Sequence, residues 1–97
     1  MPIIKFRNGN RVNNVKIEIF CAPNCNRCGR TVVLVQEVIN EIGDNAIHWR
    51  KVDVVEEIDY AVSFGLRATP AIVINQKLVF TASPSKQALR REIEQWV

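Results

Sequence analysis

Phe20-Cys21-Ala22-Pro23-Asn24-Cys25-Asn26-Arg27-Cys28-Gly29-Arg30 joins an apolar run, Ile17, Ile19 and Phe20, to a long helical pattern that starts near Asn26. The stretch holds all 3 cysteines of the chain. Cys25 and Cys28 flank Asn26-Arg27 where a strand turns into a helix. That spacing sets the Cys25 sulfur at the helix N-terminus, where unpaired N–H groups and the helix dipole favour a thiolate. The Cys28 sulfur then lies one turn into the helix, within reach of the first. Dithiol–disulfide exchange needs a thiol of lowered pKa beside a resolving thiol. Cys25 is the expected nucleophile and Cys28 the expected resolver.

Working outward, 97 residues suffice for one domain with its own core and are too few for two. An apolar fraction of 47% and a charged fraction of 24% are ordinary for a globular protein. The net charge of +3 is mild and its basic residues form no run, which argues against nucleic acid as a partner. No apolar run is long enough to span a membrane, and Lys5 and Arg7 are followed by no signal-peptide core. A reducing cytoplasmic setting follows, in which a close cysteine pair is catalytic or metal-binding sooner than a structural staple.

Residues 1–14 are expected to form an N-terminal extension or an edge strand, with Ile3, Ile4 and Phe6 apolar and Asn8-Gly9 a turn signal. Residues 15–97 form the domain. Val15–Phe20 alternates as a strand, with Val15, Ile17 and Ile19 on one face and Lys16, Glu18 and Phe20 on the other. Asn26–Ile42 carries Cys28, Val32, Val35, Val38, Ile39 and Ile42 at helical spacing, and Gly43 supplies the stop. The many β-branched residues of that helix lower its intrinsic propensity, so packing on a sheet must hold it. A second strand covers Ile47–Val54, and a short helix covers Glu56–Phe64 before Gly65. Ala71–Ile74 and Leu78–Phe80 are spaced for a hairpin around Asn75-Gln76-Lys77. Ser83-Pro84 reads as an N-cap with proline at the first helical position, opening a last helix that buries Leu89, Ile93 and Trp96. The order β-α-β-α-β-β-α implies a right-handed parallel crossover and a terminal antiparallel hairpin. The fold class is therefore α/β, a mixed four-stranded sheet with helices on both faces.

These residues resemble the thioredoxin superfamily, and most closely its small thioredoxin- or glutaredoxin-like members called redox-active disulfide protein 2. The resemblance rests on Lys16-Ile17-Glu18-Ile19-Phe20 leading into Cys25-Asn26-Arg27-Cys28, then Lys51-Val52-Asp53-Val54. It continues through Phe64-Gly65-Leu66-Arg67-Ala68-Thr69-Pro70 and Ala71-Ile72-Val73-Ile74-Asn75, and covers Val15 to Val97. It implies a thioredoxin-like fold and a thiol–disulfide oxidoreductase that needs no cofactor. It also implies a cis-proline at Pro70 facing the cysteines, with the backbone of Thr69 pairing with an extended substrate segment. The implied partners are protein disulfides and a thiol reductase, met by a monomer.

Two departures stand out. Asn26-Arg27 replaces the Gly-Pro of ordinary thioredoxins, and Ile19 stands where they bury a carboxylate beneath the pair. Lys51 keeps the position of the lysine that accompanies that carboxylate, and a solvated role suits it equally. Phe80-Thr81 and Ala68-Thr69-Pro70 lack the features of a glutathione site. Cys21, at the end of the first strand, is expected to pack as a small hydrophobe, with an auxiliary redox role as the alternative. The rival function is a non-catalytic interaction module, or a metal-binding one in which Cys21, Cys25 and Cys28, spaced C-x3-C-x2-C, hold an Fe–S cluster or zinc. Zinc would need a fourth ligand, and His48 is the sole histidine. Arg27 and Arg30 are candidates for favouring the Cys25 thiolate, although a solvated helix face explains them as well.

Overall fold

The computed structural model describes residues 14–97. The expected N-terminal extension or edge strand falls on 1–13, outside the described residues. The elements are β1 (Val15–Cys21), α1 (Asn26–Ile42), β2 (Ile47–Asp53), α2 (Ile58–Ser63), β3 (Ala71–Ile74), β4 (Lys77–Phe80) and α3 (Lys86–Glu94). The four strands are ordered β2-β1-β3-β4. β1 runs parallel to β2 and antiparallel to β3, which pairs antiparallel with β4. This is the mixed sheet that the element order implies.

The sheet is covered on both faces, so β1 is buried on both. Its odd-numbered residues Val15, Ile17, Ile19 and Cys21 join Val35 and Val38 of α1 and Leu89 and Ile93 of α3 in one core cluster. Each such aliphatic side chain adds roughly 1.5–3 kcal/mol by leaving water. Phe20, Val52, Ala61, Ala71 and Val73 form a second cluster under α2. There Phe20, Tyr60 and Phe64 pack with ring centroids 5.1–5.6 Å apart. This packing supplies what the valine-rich α1 lacks in propensity. Gly43, at φ 72°, ends α1 in the left-handed region, where a side chain is disfavoured.

Several boundaries differ from those expected: β1 runs one residue further, to Cys21, β2 and α2 each stop one residue earlier, at Asp53 and Ser63, and the half-buried Trp96 lies beyond α3. α2 opens at Ile58, two residues after Glu56. The Asp53 carboxylate accepts the N–H groups of Val55 and Glu56 at 2.8 and 3.3 Å, closing a turn that competes with the helix. The hairpin loop is only Asn75-Gln76, both at positive φ, so β4 begins at Lys77. The N-cap of α3 is Ser85, whose hydroxyl accepts the Ala88 N–H at 3.1 Å. Ser83 and Pro84 lie before the helix, because the Ser83 hydroxyl is bonded at 2.9 Å to that of the buried Thr31 in α1.

Candidate active site

The parallel pairing of β1 with β2 and the antiparallel pairing with β3 decide what meets at the C-terminal end of β1. Phe20 is opposite Ala71, so the Thr69-Pro70 segment that precedes β3 arrives beside the end of β1. The Thr69–Pro70 peptide is cis, as the resemblance implies. Across a loop with Asn24 at φ 65°, the chain then enters α1. Cys25 is the N-cap residue of that helix, and its N–H donates to the Ala22 carbonyl at 3.3 Å.

The pair occupies the placement read from its spacing. Cys25 is half-buried and Cys28, one turn on, is buried, both as free thiols. The Cys28 S–H donates to the Cys25 sulfur, and this is the main reason that the Cys25 pKa falls from 9.0 to about 7. The Thr69 hydroxyl and the N–H groups of Cys28 and Arg27 add to the effect. No acidic side chain stands in the first turn of α1 to compete for those donors. Burial first, and the Cys25 and Cys21 sulfurs second, push the Cys28 thiol up to about 12.

Cys21 is only 2% exposed, and its thiol is raised by burial. It contacts Cys28, whose S–H is within hydrogen-bond reach of its sulfur. Cys28 is therefore the middle sulfur of three. A packed Cys21 agrees with its expected place in the core, and its hydrogen-bonding neighbour there is Cys28, one turn into α1. The signal for this was its parity: Cys21 shares a face of β1 with Ile17 and Ile19, the face on which α1 lies.

The remaining sequence candidates separate. Ile19 is fully buried, so no carboxylate lies at that position beneath the pair. Lys51 is exposed, and its charge lowers the Cys21 thiol slightly against the effect of burial. Arg27 and Arg30 are exposed along one side of α1. His48 pairs with Lys16 at the far end of β2 from Asp53, the partner of Cys21. Those rows lie roughly 16 Å apart along the strand. Among the described residues no group of three His, Cys, Asp or Glu side chains is arranged to hold a metal ion. No helix among them is long and apolar enough to cross a membrane.

Two features escaped sequence reasoning. The Thr69 hydroxyl adds a side-chain donor to the backbone role that the resemblance implies. An open groove of about 280 Å³ also runs from Ala22 and Thr69 along Val54, Ile58, Ala61, Val62 and Leu66. Ile58 and Val62 are more than half exposed there.

Comparison with known proteins gives the family and the fold. The family model described as "Thioredoxin domain" matches residues 15–96. A thioredoxin of Methanocaldococcus jannaschii is 37% identical over 83 residues, covering 86% of this chain and 96% of that protein. A probable thioredoxin of Archaeoglobus fulgidus is 34% identical over 79 residues, covering 81% of this chain and 86% of that one. Among solved structures, a mutant thioredoxin from Halobacterium salinarum superposes with a TM-score of 0.70 at 24% identity, over 87% of this chain and 75% of that chain. The chain belongs to the thioredoxin family of thiol–disulfide oxidoreductases.

Proposed function

We propose that residues 15–97 form a unit that exchanges disulfides with protein substrates through Cys25 and Cys28. The observation that carries this reading is the opposed displacement of two touching thiols, Cys25 down to about 7 and Cys28 up to about 12. At neutral pH one is largely thiolate and nucleophilic while the other keeps its proton.

The Cys25 thiolate attacks one sulfur of a protein disulfide, and the other sulfur leaves as a thiolate. Forming that mixed disulfide removes the negative charge beside Cys28. Cys28 then gives up its proton, which the departing target thiolate accepts, and attacks the Cys25 sulfur. The target leaves with two thiols, and the Cys25–Cys28 disulfide carries the oxidising equivalents. A thiol reductase returns two electrons to it. With Ile19 in place of a buried carboxylate, the departing thiolate itself is the acceptor that serves Cys28. Thr69 and Pro70 line the approach to Cys25, where the Thr69 backbone pairs with an extended segment of the substrate. The apolar groove beside them suits aliphatic side chains of that segment. The chain works as a monomer in a reducing cytoplasm, without a cofactor and without nucleic acid or membrane as partner.

Trapping tests this. Cys28→Ser removes the resolving thiol, so mixed disulfides between Cys25 and target proteins accumulate and appear on non-reducing gels. Absence of Cys25-dependent adducts, with no reduction of insulin by the wild type, overturns it.

A further inference from the structure

Cys21 is the nucleophilic side chain that the exchange reaction leaves unused. It is buried in the same core cluster as Cys28, against which Cys25 packs, and Cys28 is a side-chain hydrogen-bonding neighbour of both other thiols. Thiolate attack on a disulfide requires three sulfurs, with the attacked one in the middle. We propose that Cys21 is a third redox thiol, which attacks the Cys28 sulfur of the Cys25–Cys28 disulfide and moves the disulfide to Cys21–Cys28, freeing Cys25. The inference rests on Cys25–Cys28 as the exchanging pair.

The step needs no outside oxidant. The Cys21–Cys28 bond forms, the Cys25–Cys28 bond breaks, and the electron pair of the broken bond stays on Cys25. The Cys21 proton passes to Cys25 or to solvent. The number of disulfides and the oxidation state of the protein do not change.

The direction follows from the surroundings of the two outer thiols. Cys25, once released, keeps the Thr69 hydroxyl and the N–H groups of Arg27 and Cys28 as donors. Cys21 is held up by burial and by the nearby Asp53, against a partial offset from Lys51. Leaving the more acidic thiol free and the less acidic one bonded lowers the free energy of the oxidised protein above the pKa of Cys25. Raising the pH toward the pKa of Cys21 therefore shifts the disulfide to Cys21–Cys28. The product disulfide joins side chains that are 2% and 4% exposed, so an outside thiol does not reach it directly. Its way back is attack by Cys25 on Cys28. The oxidised protein thus stores its disulfide in the core and still presents a nucleophilic cysteine at the surface.

Peptide mapping of the wild type tests the proposal. Fully oxidised protein is equilibrated at about pH 6 and about pH 8, quenched in acid and blocked with N-ethylmaleimide under mildly acidic denaturing conditions. Trypsin cuts after Lys16, Arg27 and Arg30, so either disulfide links Ile17–Arg27 to Cys28-Gly29-Arg30. Fragmentation then shows whether the blocking group sits on Cys21 or on Cys25. The expected result is label on Cys25 in a fraction that rises severalfold between the two pH values. In Cys21→Ser the link can run only through Cys25, so its linked peptides carry no label at either pH and serve as the reference for the fragment assignment. Linked peptides labelled only on Cys21 at both pH values overturn this inference and leave the exchanging pair standing. Failure of the two peptides to link at all overturns both.

Discussion

The two faces of the sheet each bury a titratable group contributed by β1, and the groups behave in opposite ways. Under α2, Glu18 is fully buried and its carboxylate is saturated. The Tyr60 hydroxyl donates to both of its oxygens at 2.7 and 2.9 Å, and Arg50 bonds it at 3.0–3.1 Å while also holding Glu57. Gln76 donates to the Tyr60 oxygen, and the guanidinium lies 5.7 Å from the Tyr60 ring. Under α1, Cys21 and Cys28 are buried with each other's sulfur, and that of Cys25, as their side-chain hydrogen-bonding neighbours. A buried acid ringed by donors has its hydrogen-bonding capacity met within the fold and holds the elements around it together. Cys28 shares its proton with the half-buried Cys25, and the two are held apart in acidity, which is what chemistry at sulfur requires.

Breaking the sulfur side should give the largest effect. Cys25→Ser removes the nucleophile, and insulin-reducing activity should fall about a thousandfold or more. Thermal melts should show the fold intact, since Cys25 lies at the rim. A fold that stays while substantial activity survives would move the nucleophile elsewhere.

Breaking the carboxylate side should do the reverse. Arg50→Met leaves Glu18 buried with Tyr60 and a distant Lys16, whose ammonium is 3.9 Å away. Urea titration should show a loss of about 1–3 kcal/mol, the cost of leaving a buried acceptor without its charged donor when that donor is itself part-exposed. Tyr60→Phe deletes the hydroxyl's bonds to Glu18 and the one it accepts from Gln76, and should cost about 1–2 kcal/mol. The alkylation rate of Cys25 should be unchanged in both, because neither side chain touches a sulfur. A slowed Cys25 would show the two faces to be coupled.

Thr69→Val sharpens the comparison, since it removes one donor from the Cys25 sulfur at nearly constant volume. The Cys25 pKa should rise, and its iodoacetamide rate at neutral pH should drop about two- to fivefold. An unchanged pH–rate profile would assign the lowered pKa to Cys28 and the helix N-terminus alone.

The smallest effect is in stability against pH. In the reduced protein the folded pKa of Cys25 is about 7 and its ordinary value 9.0, so the folded chain binds fewer protons between them. Stability from this group rises with pH across that window and is lost as pH falls through about 7. Above 9.0 the sign reverses, because Cys28, at about 12, stays protonated in the fold and ionises in the unfolded chain. Cys21 acts in the same direction as Cys28. Denaturant midpoints of the reduced protein, compared with Cys25→Ser, should show the first slope only where Cys25 is present.

The sequence by itself determined the local parts. The period of Asn26–Ile42 and the glycine after it fixed α1 to the residue, because an apolar stripe and a left-handed stop are both short-range features. The alternation of Val15–Phe20 fixed which side chains share a face, and the Cys25–Cys28 spacing fixed their placement at the head of α1. Only the tertiary structure decided three other matters. The local pattern puts the cap at Ser83, but Ser85 caps the helix while Thr31, 52 positions away, engages Ser83. Alternation leaves Glu18 as suited to water as to the core. It is buried because Arg50 and Tyr60, 32 and 42 positions on, meet its charge and hydrogen-bonding capacity. Cys21 has the right parity for the α1 face, yet its contact with Cys28 depends on how α1 packs across β1. Periodicity reports which way a side chain points. The partner that makes it inert or reactive comes from a distant part of the chain, and no local pattern encodes that pairing.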